Sequence, residues 1–405
     1  MDDSGKYIVW VVPIFFLLIF LEMFVALRKK GRAIRMNDSV TNLQIGLSEQ
    51  VLSVVIRGSM FVLYAYIYEN FRFFTLEFNI LNTIILLFLF DMLYYWAHRW
   101  SHEINIMWAS HIVHHSSQEY NLSVALRQPW FQPLTTSWVF LPVAFLGFPT
   151  EMFIMVSAVD ILYQFWIHTE YVGKMGKVIE FIFNTPSHHR VHHGTNPKYL
   201  DKNHAGIFII WDRMFGTFQE EEEAPEYGIT SGLESYNPLY INTHYFGELW
   251  QGSAALKRPL DKFKLWFMPP GWRPASEGGR YIPTEAPNLP LYNIPISKSL
   301  ALYLGFQFLF AAMASLWVIW YQSEYSVWEI LSYAVIAIIQ MSLLGLVFEQ
   351  RKSSKWLDLI RLFTLPLMYY FMKGLSIELW GVFGVLWVIS IGFSIYYHFL
   401  SVHKS

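Results

Sequence analysis

Unbroken apolar runs, several of them close to twenty residues long, constrain this 405-residue chain more than any other feature. A helix needs roughly 20 apolar residues to cross the hydrocarbon of a bilayer, and every backbone N–H and C=O must find a partner inside it. Ile8–Leu27, Val51–Tyr68 and Asn79–Trp96 are such runs, the second carrying Arg57 and Gly58. Pro133–Phe148 and Glu151–Ile167, joined at Pro149-Thr150, are each short for a span and read as a hairpin that crosses in part. Four more runs fall near 299–320, 327–348, 357–372 and 377–399. Only 15% of the residues are charged and 54% are hydrophobic, whereas a soluble domain carries about 25% charged residues. The expected fold class is all-α, a polytopic helical membrane protein. The first run is long enough to span and lacks an A-x-A-like cleavage site, so it reads as a retained helix.

The runs divide the chain into N-terminal transmembrane helices at 1–78, a histidine-rich segment at 79–230, a polar linker or cap at 231–298 and C-terminal transmembrane helices at 299–405. The block RKKGRAIR at 28–35 carries five basic residues, whereas only Lys6 precedes the first run. Lysine and arginine in short loops mark the cytoplasmic side. Counting crossings from that block places His98, and every histidine up to His204, at the cytosolic face near the membrane surface. Lys257, Arg258, Lys262, Lys264 and the RKSSK at 351–355 fall on the same side by the same count. The histidines therefore form a cytosolic cap on a bacterial inner membrane or the endoplasmic reticulum. A net charge of -2 gives no sign of a nucleic-acid partner, and the absence of cysteine rules out disulfides and thiolate metal sites.

Three histidine clusters stand out: HRWSH with His98 and His102, HIVHH with His111, His114 and His115, and HRVHH with His189, His192 and His193. Spacings of three and four residues put side chains on one helix face, so each cluster can aim two or three imidazoles at one point. Thr185 can cap the third cluster, Pro186 suits a first helical position and Gly194 can end the turn. His168, in WIHTE, stands alone. One H-x3-H is most simply a chance helical pair, but three clusters on one membrane face point to metal, because ionisable residues at a membrane are expensive to keep. One zinc takes four ligands at most in a structural site; eight or nine imidazoles suit two ions. Imidazole binds Fe, Zn, Cu and Ni alike, so the ligand type alone does not name the metal. His244, His398 and His403 read as ordinary surface or interfacial residues.

The boxes HRWSH, HIVHH and HRVHH resemble those of the fatty acid hydroxylase/sterol desaturase superfamily, and the resemblance extends over roughly 79–230. It implies a helical membrane protein with a di-iron cap that uses O2 and two electrons on an unactivated C–H bond of a lipid. It also implies that His98, His102, His111, His114, His115, His168, His189, His192 and His193 are the ligands. The flanks YYWAHRWSHEINIMWASHIVHHSSQEYNLSVALRQ and NTPSHHRVHHGTNPKYLDKNHAGIFIIWDRMFGTF are similar to the branch that oxidises ether lipids. That likeness implies an alkylglycerol substrate, hydroxylation beside the ether oxygen and tetrahydrobiopterin as electron donor; the residues themselves spell out no pterin site. A redox protein is the other possible donor. His204 departs from the branch, where an aromatic residue such as tyrosine is expected.

Supporting residues follow from spacing. Asp91 shares a helix stripe with His98, and Asp160 stands in the same relation to His168; a metal-bound imidazole usually donates its other N–H to such an acceptor. Asp201 and Asp212 are further candidates. Glu103 matches an acidic residue of the ether-lipid branch, either supporting a ligand or lying as a plain surface charge. Asn121 and Arg127 can orient a lipid headgroup or close the site. His188 is open between ligand, supporting donor and cap. The rival readings are a fatty acyl or sterol hydroxylase or desaturase, a membrane zinc hydrolase and, last, a metal transporter. HRWSH lacks the internal glutamate of the hydrolase motif H-E-x-x-H.

Overall fold

The structure, a computed structural model, describes residues 4–29, 34–285 and 289–400. Residues 30–33 of the basic block, and His403, lie outside the described residues. The chain is all-helical in its regular structure. In order, the helices are α1 Ser4–Lys29, α2 Met36–Phe71, α3 Ile80–Glu103, α4 Asn105–His115, α5 Gln132–Thr136, α6 Leu141–Leu146, α7 Thr150–Trp166, α8 Lys177–Ile182 and α9 Pro186–His193. There follow α10 Ile210–Phe215, α11 Pro238–Ala255, α12 Pro259–Phe267, α13 Lys298–Trp320, α14 Val327–Phe348, α15 Ser354–Thr364, α16 Pro366–Tyr370 and α17 Ile377–Ile395. Among the described residues, five helices are long and apolar enough to cross a membrane: Met36–Phe71, Ile80–Glu103, Lys298–Trp320, Val327–Phe348 and Ile377–His398.

Two compact units share these helices, residues 1–55, 234–241 and 291–405 in one, residues 56–233 and 242–290 in the other. In the first unit, α13 and α14 pack through Leu304, Ala311, Ala337 and Met341. Helix α2 starts well before the apolar run at Val51 because its polar first turns are buried, with Asn37 Nδ2 donating to the Tyr236 hydroxyl at 2.8 Å. The 357–372 run is not one helix. Proline lacks an N–H, so the helical hydrogen-bond ladder is interrupted at Pro366, and the run divides into α15 and α16 with Leu365 between them still in helical geometry. Helix α15 also turns a charged pair inward: Arg361 meets Asp358 at 2.8 Å, and Gln307 and the Tyr303 hydroxyl surround the guanidinium.

The second unit packs around Tyr64, Leu86, Phe90, Val143, Met152 and Val156, with the rings of Tyr64 and Phe153 stacked at 4.2 Å. The two limbs of the expected hairpin differ. The second is the continuous α7, whereas the first is broken into α5, a 3-10 turn and α6. Helix α6 ends at Gly147, whose φ of 89° and close approach to the Phe74 carbonyl leave no room for a Cβ. That turn aims α7 so that its end delivers His168.

Removing one member of a buried ion pair leaves the other charge unpaired, at a cost of about 3–5 kcal/mol. Arg361→Leu is expected to destabilise the first unit on that scale, read as a lower thermal midpoint in detergent. An unchanged midpoint would show that Asp358 does not depend on its partner.

Candidate metal centre

Four stretches of the second unit bring the histidines together. Helix α3 ends at Glu103, Ile104 is extended, and α4 begins at once. The break is fixed from outside, since the Asn105 N–H donates to the Met268 carbonyl at 3.0 Å and Asn105 Nδ2 to the Leu265 carbonyl at 2.8 Å. It folds α4 back on α3, so that His98 and His102 face His111 and His115. Helix α9 has the start and stop read from its sequence, with Pro186 first and Gly194 after the last residue. His188 completes a capping box with Thr185, accepting the Thr185 N–H on Nδ1 at 3.3 Å. It is turned away from the cluster to cap the helix that carries His189, His192 and His193.

The nine histidines form two groups, all buried: His98, His102, His111, His115 and His192 in one, His114, His168, His189 and His193 in the other. Within each, one nitrogen per ring lies within 4.8 Å of every other. Hydrogen bonds at the back of the rings settle which nitrogen faces inward. His98 Nδ1 meets the His204 carbonyl at 2.7 Å, His168 Nδ1 the Gln164 carbonyl at 2.7 Å, and His192 Nδ1 the Lys202 carbonyl at 2.9 Å. His114 Nδ1 meets the Arg127 carbonyl at 3.3 Å, and His111 Nδ1 the Gln132 side-chain oxygen at 3.0 Å. A carbonyl only accepts, so each of these Nδ1 atoms carries the hydrogen and each Nε2 is a bare lone pair.

Two pairs of these bare nitrogens face each other, His98 and His111 at 2.9 Å and His114 and His168 at 3.2 Å between Nε2 atoms. His115 Nε2 lies 3.2 Å from His111 Nε2, and His189 Nε2 3.0 Å from His168 Nε2. Two lone pairs at that separation repel unless a cation lies between them. Metal–nitrogen bonds of roughly 2.1 Å place neighbouring ligands of an octahedral ion about 3.0 Å apart. The donor set therefore fits a pair of metal ions. Buried Nε2 atoms of His102, His192 and His193 likewise have no hydrogen-bond partner.

Ring positions give each group a shape. In the first, the rings of His111 and His192 lie 6.5 Å apart, and His98 makes no ring contact with His115 among the described residues. His102 touches all four others at 4.8–5.4 Å. His102 thus lies against all four other imidazoles that would hold one ion. In the second group, His168 and His193 meet each other at 5.2 Å and both meet His114 and His189. Among the described residues His114 and His189 make no ring contact with each other. The groups adjoin where His115 stacks on His193 at 4.4 Å.

Burial sets the protonation of the imidazoles. It pushes His111 down to about 3, with His102 alongside adding to the effect, and pushes His168 down to about 4. Burial first, and the neighbouring imidazoles second, hold His114, His115, His189, His192 and His193 well below the usual histidine value. All are neutral at physiological pH, the form that binds metal.

The other candidates from the sequence lie around the groups. Asp91 touches no imidazole; its carboxylate accepts the N–H groups of Ile207, Phe208 and Trp211 at 2.6–2.9 Å. Asp212 accepts the N–H groups of His204 and Ala205, both at 2.8 Å. Together they clamp the irregular 204–208 segment whose His204 carbonyl holds His98. Asp160 accepts from the Gln164 side chain at 2.6 Å, one residue type away from the His168 contact that Gln164 makes through its backbone. Asp201 lies 3.6 Å from His102 Nδ1. Arg127 is buried, with its guanidinium on the Val113 carbonyl at 2.8 Å and on Ser116, so it braces the end of α4. Asn121 holds the Ser123 N–H and hydroxyl at 3.0 and 2.6 Å. Glu103 is partly exposed and paired with Arg99 at 2.9 Å. The His204 ring is buried 5.0 Å from His102 but belongs to neither group. Sequence reasoning did not find Gln132, nor the carbonyls of Gln164, Lys202 and His204; a carbonyl carries no side-chain signal.

Residues 83–217 match the family model described as fatty acid hydroxylase. The chain is 34% identical over 407 residues to alkylglycerol monooxygenase of Homo sapiens, covering 97% of this chain and 89% of that protein. It is 36% identical to alkylglycerol monooxygenase of Xenopus tropicalis, covering 89% of this chain and 81% of that protein. An ornithine lipid hydroxylase of Rhizobium tropici is 29% identical over 34% of this chain and 42% of its own length. No solved structure matches. The chain belongs to the fatty acid hydroxylase family: it is a multi-pass membrane oxidoreductase with histidine metal-binding clusters, acting on a lipid with O2.

Unfolded histidines titrate near 6.5, whereas these stay neutral in the folded chain to lower pH. Below about pH 6.5 the unfolded state binds more protons, so stability falls as pH falls towards the folded values. Metal-free protein is expected to lose thermal stability steadily from about pH 7 to about pH 4.5, and bound metal to shift that loss to lower pH; a flat profile would contradict the assignment of neutral rings. Asp91→Asn replaces one acceptor oxygen by a donor facing N–H groups, and is expected to cost about 2–4 kcal/mol, read from thermal unfolding, and to reduce bound metal through the His98 support.

Proposed function

We propose that this protein is a di-iron monooxygenase that uses O2 to hydroxylate the ether-linked alkyl chain of an alkylglycerol. The observation that carries the metal half of this reading is the set of Nε2 atoms facing one another at 2.9–3.2 Å in two adjoining groups. His98, His102, His111, His115 and His192 would hold one iron, and His114, His168, His189 and His193 the other. Iron bound there supplies the activation of O2 and the two-electron oxidation of a C–H bond. The likeness to two alkylglycerol monooxygenases over most of the chain supports the ether-lipid substrate. The same likeness supports tetrahydrobiopterin as the source of the two electrons.

The overall change is balanced as follows. The carbon beside the ether oxygen gains a hydroxyl from one atom of O2, the other atom leaves as water, and two electrons and two protons come from the donor side. The hemiacetal so formed breaks its bond to the ether oxygen, giving a long-chain aldehyde and glycerol. The residues of this chain hold the reaction in place. The carbonyls of Lys202, Gln164, Arg127 and His204 fix ring tautomers, Asp91 and Arg127 position the segments that carry them, and Asn121 shapes the turn before Arg127. The catalytic domain is 79–230, and the histidines lie at the cytosolic face, where a soluble donor and a bilayer lipid can both reach them.

A fatty acyl or sterol hydroxylase or desaturase of the same family would use the same groups. A zinc hydrolase would require a carboxylate base at the metal; among the described residues neither group contains one, and Glu103 is turned to Arg99.

Purified protein incubated with an alkylglycerol and tetrahydrobiopterin is expected to release aldehyde, and to release none without the pterin. It is expected to contain two irons per chain. His114→Ala and His192→Ala should each abolish turnover, a loss of at least about 100-fold, with bound iron reduced. Full activity in either variant, or zinc with hydrolysis of the lipid, would overturn the reading.

A further inference from the structure

Helix α8 is inside out for a protein surface in water. A surface helix normally turns its apolar residues to the core and its charges to solvent. Here Val178 is 75% exposed and Phe181 59%, with Met175, Ile179 and Ile182 also at the surface, and the helix has no buried residue. Its carboxylate does the opposite. The Glu180 side chain is only 13% exposed; it accepts the Met175 N–H at 2.9 Å and the Thr185 hydroxyl at 3.2 Å, and lies 3.8 Å from His188. Polar inside and apolar outside is the pattern of a helix whose solvent is hydrocarbon.

The apolar surface also has a neighbour. The rings of Phe183 and Phe208 lie 5.6 Å apart, and Phe208 stacks on Phe88 of α3 at 4.5 Å. Phe88 lies on an exposed apolar face of α3 with Ile84 and Ile85, and α3 is one of the helices long enough to cross the membrane. The face of α8 is thus continuous with the lipid-facing side of a spanning helix. At its start Lys177 is exposed, and a lysine there can place its ammonium among headgroup phosphates while its stem stays in the apolar layer.

We propose that α8 lies in the membrane surface as an interfacial helix, its partner being the bilayer itself, and forms the rim over which a lipid chain reaches the histidines. The path is short in the chain: α8 leads through Phe183 into Thr185 and α9, which carries His189, His192 and His193. Glu180 ties the rim to the cap of that helix through Thr185. The rim role rests on the lipid monooxygenase reading; the docking of α8 on lipid does not.

The full-length chain has no cysteine, so single probes can be placed cleanly. Val178→Cys and Phe181→Cys, each carrying an environment-sensitive fluorophore in phosphatidylcholine vesicles, are expected to lose emission to acyl-chain nitroxides and to keep it in aqueous iodide. Glu222→Cys, exposed in the same unit, should do the reverse. Quenching of the α8 probes by iodide and not by the lipid nitroxide would overturn the proposal. Val178→Asp is expected to raise KM for a vesicle-borne alkylglycerol roughly tenfold while kcat and iron content hold, since this side chain is 75% exposed on the apolar face of α8; an unchanged KM would remove the rim role. Lipid-exposed probes on a protein that oxidises no lipid would leave α8 docked and refute the enzymatic reading instead.

Discussion

Lone pairs that converge across about three ångströms are the constraint on which this structure turns. A buried polar atom without a partner costs roughly 1–3 kcal/mol, and the centre gathers nine imidazoles into one volume with no carboxylate among them. Nothing in the local helices explains that expense. Cations do, because each turns the repulsion of neighbouring nitrogens into coordination. The rest of the second unit is arranged to keep the lone pairs aimed: a one-residue break between α3 and α4, a proline-started α9, and α7 aimed by the turn at Gly147.

The charged groups around the centre act at one remove. Asp91, Asp212 and Arg127 are spent on backbone N–H and C=O groups, and those backbone groups hold the imidazoles. This division is economical. A carbonyl fixes the tautomer of an imidazole while adding no net charge of its own. The two groups hold unequal numbers of imidazoles, five against four.

Much of the centre was legible in the sequence because helical periodicity transmits it. H-x3-H and H-x2-HH place rings on a shared face whatever the rest of the chain does, and the third cluster even announced its helix through Thr185, Pro186 and Gly194. What spacing could not show was partnership between segments. Asp91 and His98 share a helix, yet Asp91 reaches across to Ile207 and Phe208. Hydropathy found the spanning helices and overstated one, since the 357–372 run hides an inward-turned Asp358 and Arg361 and a proline break. It also missed the length of α2, whose first turns are polar because their partners are polar and buried. The two compact units interleave along the chain, which no local window can reveal.

Two of the nine imidazoles are oriented by peptide oxygens at positions 202 and 204, in a stretch with no regular secondary structure. What matters there is the path of the main chain, set by neighbours at 91, 184 and 212; the Lys202 side chain is only half-buried, whereas the His204 ring is packed among His98, His102 and His192. A chain with a quite different residue at 202 can therefore still present the same oxygen to the His192 ring, so that comparison of side chains alone would overlook one of the supports on which the centre rests.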